Sequence, residues 1–218
     1  MKLWFEKAPE LLVDLQQSVD NYSPHVTLHK LGNSYLITGN WLVEHNGEVA
    51  ETYRFKVEIP ADYPDSLPLV YETSKKIPRI ADRHINSGGD ACLFAPCARW
   101  ENWPIGSSFQ TFLNGPVRNF FLSQAVFDLT GKWPFGQLAH GNDGIIEYLV
   151  RLFDVPDFKT IKRFAPCLSM PKIYRQYRCP CGSGLRMIKC HGPKFNKMNE
   201  HLTAKDKKSI VEALSTYQ

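Results

Sequence analysis

Three cysteines and a histidine near the end of the chain have a spacing that is typical of metal ligands. Cys179, Cys181, Cys190 and His191 form the pattern C-x-C-x8-C-H. A tetrahedral zinc site uses four sulfur and nitrogen donors of this kind, and two close pairs separated by a short loop supply them. The glycines between the pairs let the backbone turn tightly around an ion. The sequence therefore predicts one zinc ion bound by these four residues, with a chance cluster of free thiols as the alternative.

A second group of reactive side chains lies in a long irregular segment, Lys75–Trp103, which contains His84, Asn86 and Cys92. A cysteine thiolate can accept an acyl group and release it to an amine. A nearby amide can stabilise the developing oxyanion, and a histidine can take the proton of the attacking amine. Taken alone, however, a single cysteine is more often a small buried side chain than a nucleophile. The segment thus predicts either an acyl-transfer site or a packed loop.

The elements that must position these residues are helices and a β-meander. The sequence predicts an opening helix over 8–19, followed by strands at 26–31, 34–44, 52–59 and 69–72. Asn46-Gly47 is a hairpin signal between the second and third strands. Ser107 or Ser108 can cap a helix that runs to Thr130, and Pro116 should kink or split that helix. Two more helices are predicted at 144–153 and 207–214, with a connector at 156–178.

The order of these features resembles that of the ubiquitin-conjugating-enzyme family, over about residues 5 to 155. The residues that carry the resemblance are Tyr63-Pro64, Pro68, His84, Asn86, Cys92-Leu93 and Trp100. The resemblance implies an α+β, ubiquitin-conjugating-enzyme-like fold. It also implies that Cys92 is the catalytic nucleophile, with Asn86 in the oxyanion role and His84 as an acid or base. Ile85 stands where the family has a proline.

The C-terminal part resembles a second known module, the SEC-C zinc motif, through CPCGSG followed by Cys190-His191. That resemblance implies a structural zinc ion in a module that docks a protein partner. The combination of both parts is similar to bacterial conjugating-enzyme-like proteins of antiphage operons, the type II CBASS systems. It implies a cytoplasmic transferase of a ubiquitin-like conjugation pathway. Its partners would be a cGAS-like nucleotidyltransferase or a ubiquitin-like protein and a separate activating enzyme, with the acceptor unidentified.

The domain organisation predicted from these patterns has three parts. Residues 1–155 form the catalytic domain, residues 156–178 a connector, and residues 179–218 a zinc knuckle with a basic tail. Lys and Arg number 26 against 22 Asp and Glu, and much of the positive charge follows residue 159. This excess is too small to indicate nucleic-acid binding by itself.

The amino-acid composition indicates a globular protein, and the sequence predicts no membrane-spanning helix. Hydrophobic residues make up 43% and charged residues 22% of 218 residues, which is typical of a globular chain. No apolar run approaches the roughly 18 residues of a membrane span. Charge also follows Met1 too soon for a signal peptide, so we expect a cytoplasmic location. Three hypotheses stay open: an acyl transferase with a thioester on Cys92; a non-catalytic interaction module with an inactive conjugating-enzyme fold and a zinc docking knuckle; and a nucleic-acid binder that uses the zinc knuckle and the basic tail.

Overall fold

Four antiparallel strands, hydrogen-bonded in chain order, form the only sheet among the residues that the computed structural model describes, which are 3–168, 170 and 176–216. The strands are β1 (Val26–Leu31), β2 (Ser34–His45), β3 (Glu48–Ile59) and β4 (Leu69–Glu72). The helices are α1 (Trp4–Lys7), α2 (Pro9–Asp20), α3 (Arg99–Asn102), α4 (Phe109–Phe112), α5 (Arg118–Thr130), α6 (Gly141–Phe153), α7 (Phe158–Lys162), α8 (Ala165–Leu168), α9 (Gly192–Glu200) and α10 (Ala204–Thr216). The predicted α+β class is confirmed.

The chain divides into two compact units. The first unit comprises Met1–Leu93 and Gly106–Gly136, and the second comprises Phe94–Ile105 and Gln137–Gln218. Within the parts that the structure describes, no helix is long and apolar enough to cross a lipid bilayer.

The sheet of the first unit follows from the alternation of apolar residues and from one turn. The buried face of β3 carries Tyr53, Phe55 and Val57, each at most 2% exposed. Asn46 and Gly47 both have positive φ, 52° and 81°, as a tight hairpin between two twisted strands requires. The predicted hairpin therefore forms where the sequence indicated it.

The helices of the first unit cover this apolar face. The hydroxyl of Ser108 accepts a hydrogen bond from the backbone N–H of Thr111 at 3.2 Å and so caps α4. A π-helical turn, Leu113–Val117, contains Pro116 and separates α4 from α5. Pro116 thus splits the helix, as predicted, because its ring nitrogen has no hydrogen to donate. From α5, the ring of Phe121 stacks on Tyr53 with their centroids 5.2 Å apart.

The second unit has a helical core of its own. The buried apolar side chains of this core belong mainly to α6, α7, α8, α9 and α10; they include Leu149, Phe153, Ile161, Phe164, Leu168, Phe195, Met198, Ile210 and Leu214. Helix α10 begins with a reciprocal cap, in which Asp206 accepts from the backbone N–H of Thr203 at 2.8 Å and Thr203 Oγ1 accepts from that of Asp206 at 3.1 Å. The Asp206 carboxylate also lies 3.5 Å from the buried guanidinium of Arg99.

The two units do not begin or end at the predicted domain boundaries near residues 155 and 179. Helix α6 shares a core with the elements that follow it, so the second unit begins before the predicted connector. Residues 158–168 of that connector form α7 and α8, whose side chains Ile161 and Phe164 are buried. Positions 169 and 171–175 of the connector lie outside the described residues. Helix α9 was not predicted at all.

Candidate functional site

The four predicted metal ligands lie together in the second unit and could hold a metal ion. The ligand atoms of Cys179, Cys181, Cys190 and His191 are all within 4.8 Å of one another. Nδ1 of His191 lies 3.1 Å from Sγ of Cys179 and 3.2 Å from Sγ of Cys190. The sulfurs of Cys181 and Cys190 are 3.6 Å apart. We call these four residues the Cys3His cluster.

The backbone of the loop brings the two halves of the cluster together. The N–H of Cys179 donates to the carbonyl oxygen of Leu185 at 2.8 Å, which closes the loop across its base. Gly182 and Gly184 have φ of 85° and 74°, a region that residues with a Cβ rarely adopt. The Gly-Ser-Gly sequence therefore permits the sharp reversal that returns the chain toward Cys190.

His191 is oriented by a hydrogen bond on the far side of its ring. Nε2 lies 2.7 Å from the carbonyl oxygen of Phe153, so Nε2 carries the hydrogen and Nδ1 presents its lone pair to the sulfurs. The ring also packs edge-on against the ring of Phe164, with centroids 5.5 Å apart. The helical core thus fixes the tautomer that a metal ligand needs.

The cluster also favours a thiolate. Burial raises the pKa of Cys181, but hydrogen bonds from the hydroxyl and backbone of Ser183, and from the neighbouring thiols, outweigh it and lower that pKa to about 6. Burial and the hydrogen bonds to Cys181 and Cys190 raise the pKa of Cys179 to about 12, so Cys181 is the thiolate of this pair. The Ser183 hydroxyl lies 3.2 Å from the Cys181 sulfur. Thiolates are the form of cysteine that binds metals. The donor set therefore fits a metal ion.

Cys92 lies at the end of a small hairpin in the first unit, residues 84–92, which we call the Cys92 hairpin. Its turn is closed by hydrogen bonds between Asn86 and Asp90, N to O at 2.8 Å, and between Gly89 and Asn86, also 2.8 Å. At its base, the N–H of Cys92 donates to the carbonyl oxygen of His84 at 2.7 Å. The structure thus brings the backbones of the three predicted catalytic residues into one hairpin.

The polar side chains of the hairpin are held by neighbours. Nδ2 of Asn86 donates to Oδ2 of Asp90 at 2.7 Å. Because an amide nitrogen carries two hydrogens, this bond orients Asn86 without using its full donor capacity. His84 has a left-handed backbone with φ 53°, and its ring packs edge-on against Trp133 at 4.8 Å between centroids.

Cys92 itself is half-buried. Burial raises the pKa of its thiol, and the negative charge of Asp90 raises that pKa further. Cys92 is therefore mostly a neutral thiol near neutral pH, and its thiolate fraction increases as the pH rises toward this elevated pKa.

Replacing Asp90 by asparagine is expected to lower the pKa of Cys92, because it removes the charge and keeps the hydrogen-bond acceptor for Asn86. Iodoacetamide should then alkylate Cys92 faster at about pH 8, since the thiolate fraction grows about tenfold for each unit by which the pKa falls. The measurement is the rate of alkylation of the Cys92 peptide by mass spectrometry, from about pH 7 to about pH 10. Glu10→Gln, which removes an equal charge from α2, is the control; equal rates for Asp90→Asn and wild type would contradict the prediction.

Sequence reasoning missed two residues that fix the Cys92 hairpin, Arg83 and Gln124. Arg83 Nε donates to Gln124 Oε1, and Gln124 Nε2 donates to the Arg83 carbonyl oxygen, both at 2.8 Å. Gln124 is 0% exposed. A signal was present, because Gln124 interrupts the apolar stripe of α5 at the helical spacing from Phe120 and Phe121.

Residues 94–103 of the irregular segment belong to the second unit, and Trp100 and Cys97 are among them. Trp100 donates from Nε1 to the hydroxyl oxygen of Tyr148 at 2.8 Å, which supports a packing role. Cys97 is fully buried, and its burial raises the pKa of its thiol. Cys97 is thus a poor second acceptor for an acyl group.

Comparison with known proteins gives no family assignment. No protein-family model matches the chain, and no curated protein matches it significantly.

Proposed function

We propose that the protein is a cysteine acyl transferase of the ubiquitin-conjugating type, which carries the C-terminus of a partner protein as a thioester on Cys92. The observation that carries the proposal is the Cys92 hairpin. There, a half-buried thiol shares a two-stranded turn with an oriented amide, Asn86, and an imidazole, His84. The same three residues are among those that carry the resemblance to the family.

The proposed reaction has two acyl-transfer steps. The Cys92 thiolate attacks the activated C-terminal carbonyl of the partner, the activating group leaves with its electron pair, and a thioester forms. An amine then attacks the thioester carbonyl, the carbon–sulfur bond breaks, and an amide and the Cys92 thiolate are released. The second step is favourable because a thioester is a better acyl donor than an amide.

Asn86 and His84 have distinct proposed roles in the second step. The Asn86 amide, oriented by Asp90, donates to the oxyanion of the tetrahedral intermediate. His84 takes the proton that the attacking amine must lose.

The partners of the proposed reaction follow from its chemistry and from the resemblance to antiphage proteins. The transferred chain would be a cGAS-like nucleotidyltransferase or a ubiquitin-like protein with a free C-terminal carboxylate. A separate activating enzyme would supply the energy of the thioester, because a free carboxylate does not acylate a thiol by itself. The proposed pathway is bacterial antiphage defence.

Zinc is the metal that we propose for the Cys3His cluster. Metal–sulfur bonds of about 2.3 Å in a tetrahedron put two sulfurs about 3.8 Å apart, close to the separation of the Cys181 and Cys190 sulfurs. Three thiolates and one imidazole match structural zinc sites, in which protein fills every position. The ion would hold the loop closed against the core of the second unit.

One observation favours the second candidate function, a non-catalytic interaction module. Burial and Asp90 raise the pKa of Cys92, whereas nucleophilic cysteines usually have a lowered pKa. In that case Cys92 packs the loop, and the zinc knuckle docks a partner.

The proposed function is tested by co-expressing the chain with the proteins encoded beside it and separating the products with and without a reducing thiol. We expect a covalent adduct that a thiol removes, because thiols attack thioesters. Cys97→Ala should form the adduct as wild type does, since Cys97 is buried. An adduct that survives in Cys92→Ala would contradict the assignment of Cys92.

A further inference from the structure

The strongest unassigned feature of the first unit is a buried polar pair beside the Cys92 hairpin. Arg83 and Gln124 exchange two hydrogen bonds of 2.8 Å, and Gln124 is 0% exposed. The Arg83 guanidinium also forms an ion pair with Asp128 at 2.7 Å and lies over the ring of Phe127, 5.0 Å from its centroid. Polar groups with so little exposure to water persist only where their partners are present.

One of these bonds restrains the backbone and not merely a side chain. The Arg83 carbonyl that accepts from Gln124 belongs to the peptide group that joins Arg83 to His84. His84 has φ 53° and ψ 40°, a left-handed conformation that is disfavoured for residues with a Cβ. Such a conformation persists where several contacts with the surrounding structure hold it in place. The Gln124 side chain thus fixes the peptide plane that enters the left-handed residue.

A backbone hydrogen bond connects His84 to Cys92, which carries the thiol. The carbonyl oxygen of His84 accepts the backbone N–H of Cys92 at 2.7 Å. On the other side, the N–H of Ala91 donates to the carbonyl oxygen of Val70 in β4, also at 2.7 Å. The backbone at Cys92 is therefore held between α5, through Gln124, Arg83 and His84, and the edge of the sheet.

We propose that Gln124, together with Arg83, is a positioning residue that holds the Cys92 hairpin in its reactive geometry and keeps the thiol half-buried. This inference rests on the proposed function for its role in catalysis, but its effect on the thiol can be measured without any partner. Neither residue touches the reacting atoms, so both act through His84.

Two variants of Gln124 separate this role from general stability. Gln124→Glu keeps the size of the side chain and the acceptor for Arg83 Nε, and it removes the donor to the Arg83 carbonyl. Gln124→Leu removes both bonds without adding charge. Leu15→Ala is the control, because Leu15 is a fully buried residue of α2 in the same unit and its truncation lowers stability without touching the pair.

The experiment follows alkylation of Cys92 by iodoacetamide in the full chain as a function of pH, at a temperature where every variant is folded. A released hairpin gives the thiol more water, so both Gln124 variants should react roughly three- to tenfold faster at about pH 8, with the pH profile shifted to lower pH. Leu15→Ala should keep the wild-type profile. Where the wild type forms the reducible adduct, both variants should lower its maximal rate of formation and leave the half-saturating partner concentration unchanged.

The outcomes separate this inference from the proposed function. A shifted alkylation profile, with no adduct in the wild type, would support the positioning role and reject the transferase. If Gln124→Leu does not fold, the alkylation profile of Gln124→Glu alone tests the positioning role. A Gln124→Glu profile equal to that of wild type and Leu15→Ala would overturn the positioning role, whatever the adduct assay shows.

Discussion

Replacing Cys181 by serine is expected to abolish metal binding in the second unit and to open the loop that carries the Cys3His cluster. Apparent binding free energies of structural zinc sites are about 10–16 kcal/mol, as large as the whole stability of a typical domain, about 5–15 kcal/mol. His191 joins the metal site to the core through Phe153, so the effect should reach α6. Metal analysis of wild type should find about one equivalent per chain, and the variant should have lost it.

The matched control is Cys167→Ala, because Cys167 is a buried cysteine of the same unit outside the cluster. This variant should keep its metal and lose only packing energy. Thermal unfolding with and without a chelator completes the test, since the chelator should destabilise wild type and Cys167→Ala but have little effect on Cys181→Ser. Wild type that contains no metal, with the three thiols of the Cys3His cluster open to titration, would refute the metal site.

Substitution of Cys92 is expected to have the largest effect on activity. Cys92→Ala removes the proposed nucleophile, and loss of the nucleophile costs another acyl-transfer enzyme a factor on the order of 10⁶ in rate. Cys92→Ser should accumulate an ester adduct, because an alkoxide is a poorer leaving group than a thiolate. Cys92→Lys should form an amide adduct that neither thiols nor hydroxylamine removes.

Substitutions at Asn86 and His84, the two other proposed catalytic residues of the Cys92 hairpin, are compared with Cys92→Ala for their effect on the transfer rate. Asn86→Ala should slow transfer by a factor of roughly 10²–10³, the usual effect of removing one oxyanion donor, and should leave partner binding unchanged. His84→Ala should slow transfer and shift its pH dependence if His84 is the base. Full biological activity of Cys92→Ala would reject the transferase and favour the interaction module.

Local sequence signals predicted the elements that depend on local physics. The Asn46-Gly47 turn, the Ser108 cap and the break at Pro116 each follow from the backbone preferences of one or two residues. The Cys3His cluster was predictable for the same reason, because its four residues and its glycines lie within a short stretch of chain.

Features that depend on distant packing were not predictable in this way. Helix α9 contains Gly192 and Asn196, which are weak helix formers, and its burial of Phe195 and Met198 in the helical core compensates for them. The division into these two units was not predicted, because periodicity shows that α6 has an apolar face and not which helices cover it. Gln124 was not singled out in the sequence, and only the fold shows that its partner is Arg83, 41 residues earlier.

The most direct test of the central claim is to locate a hydroxylamine-labile bond on Cys92. The chain is isolated without reducing agents from cells that contain its neighbouring gene products, digested, and sequenced by tandem mass spectrometry before and after hydroxylamine. We expect the Cys92 peptide to carry the C-terminal residues of another protein and to lose them on treatment. A Cys92 peptide found only as the free thiol, in cells where the protein is active, would contradict this expectation.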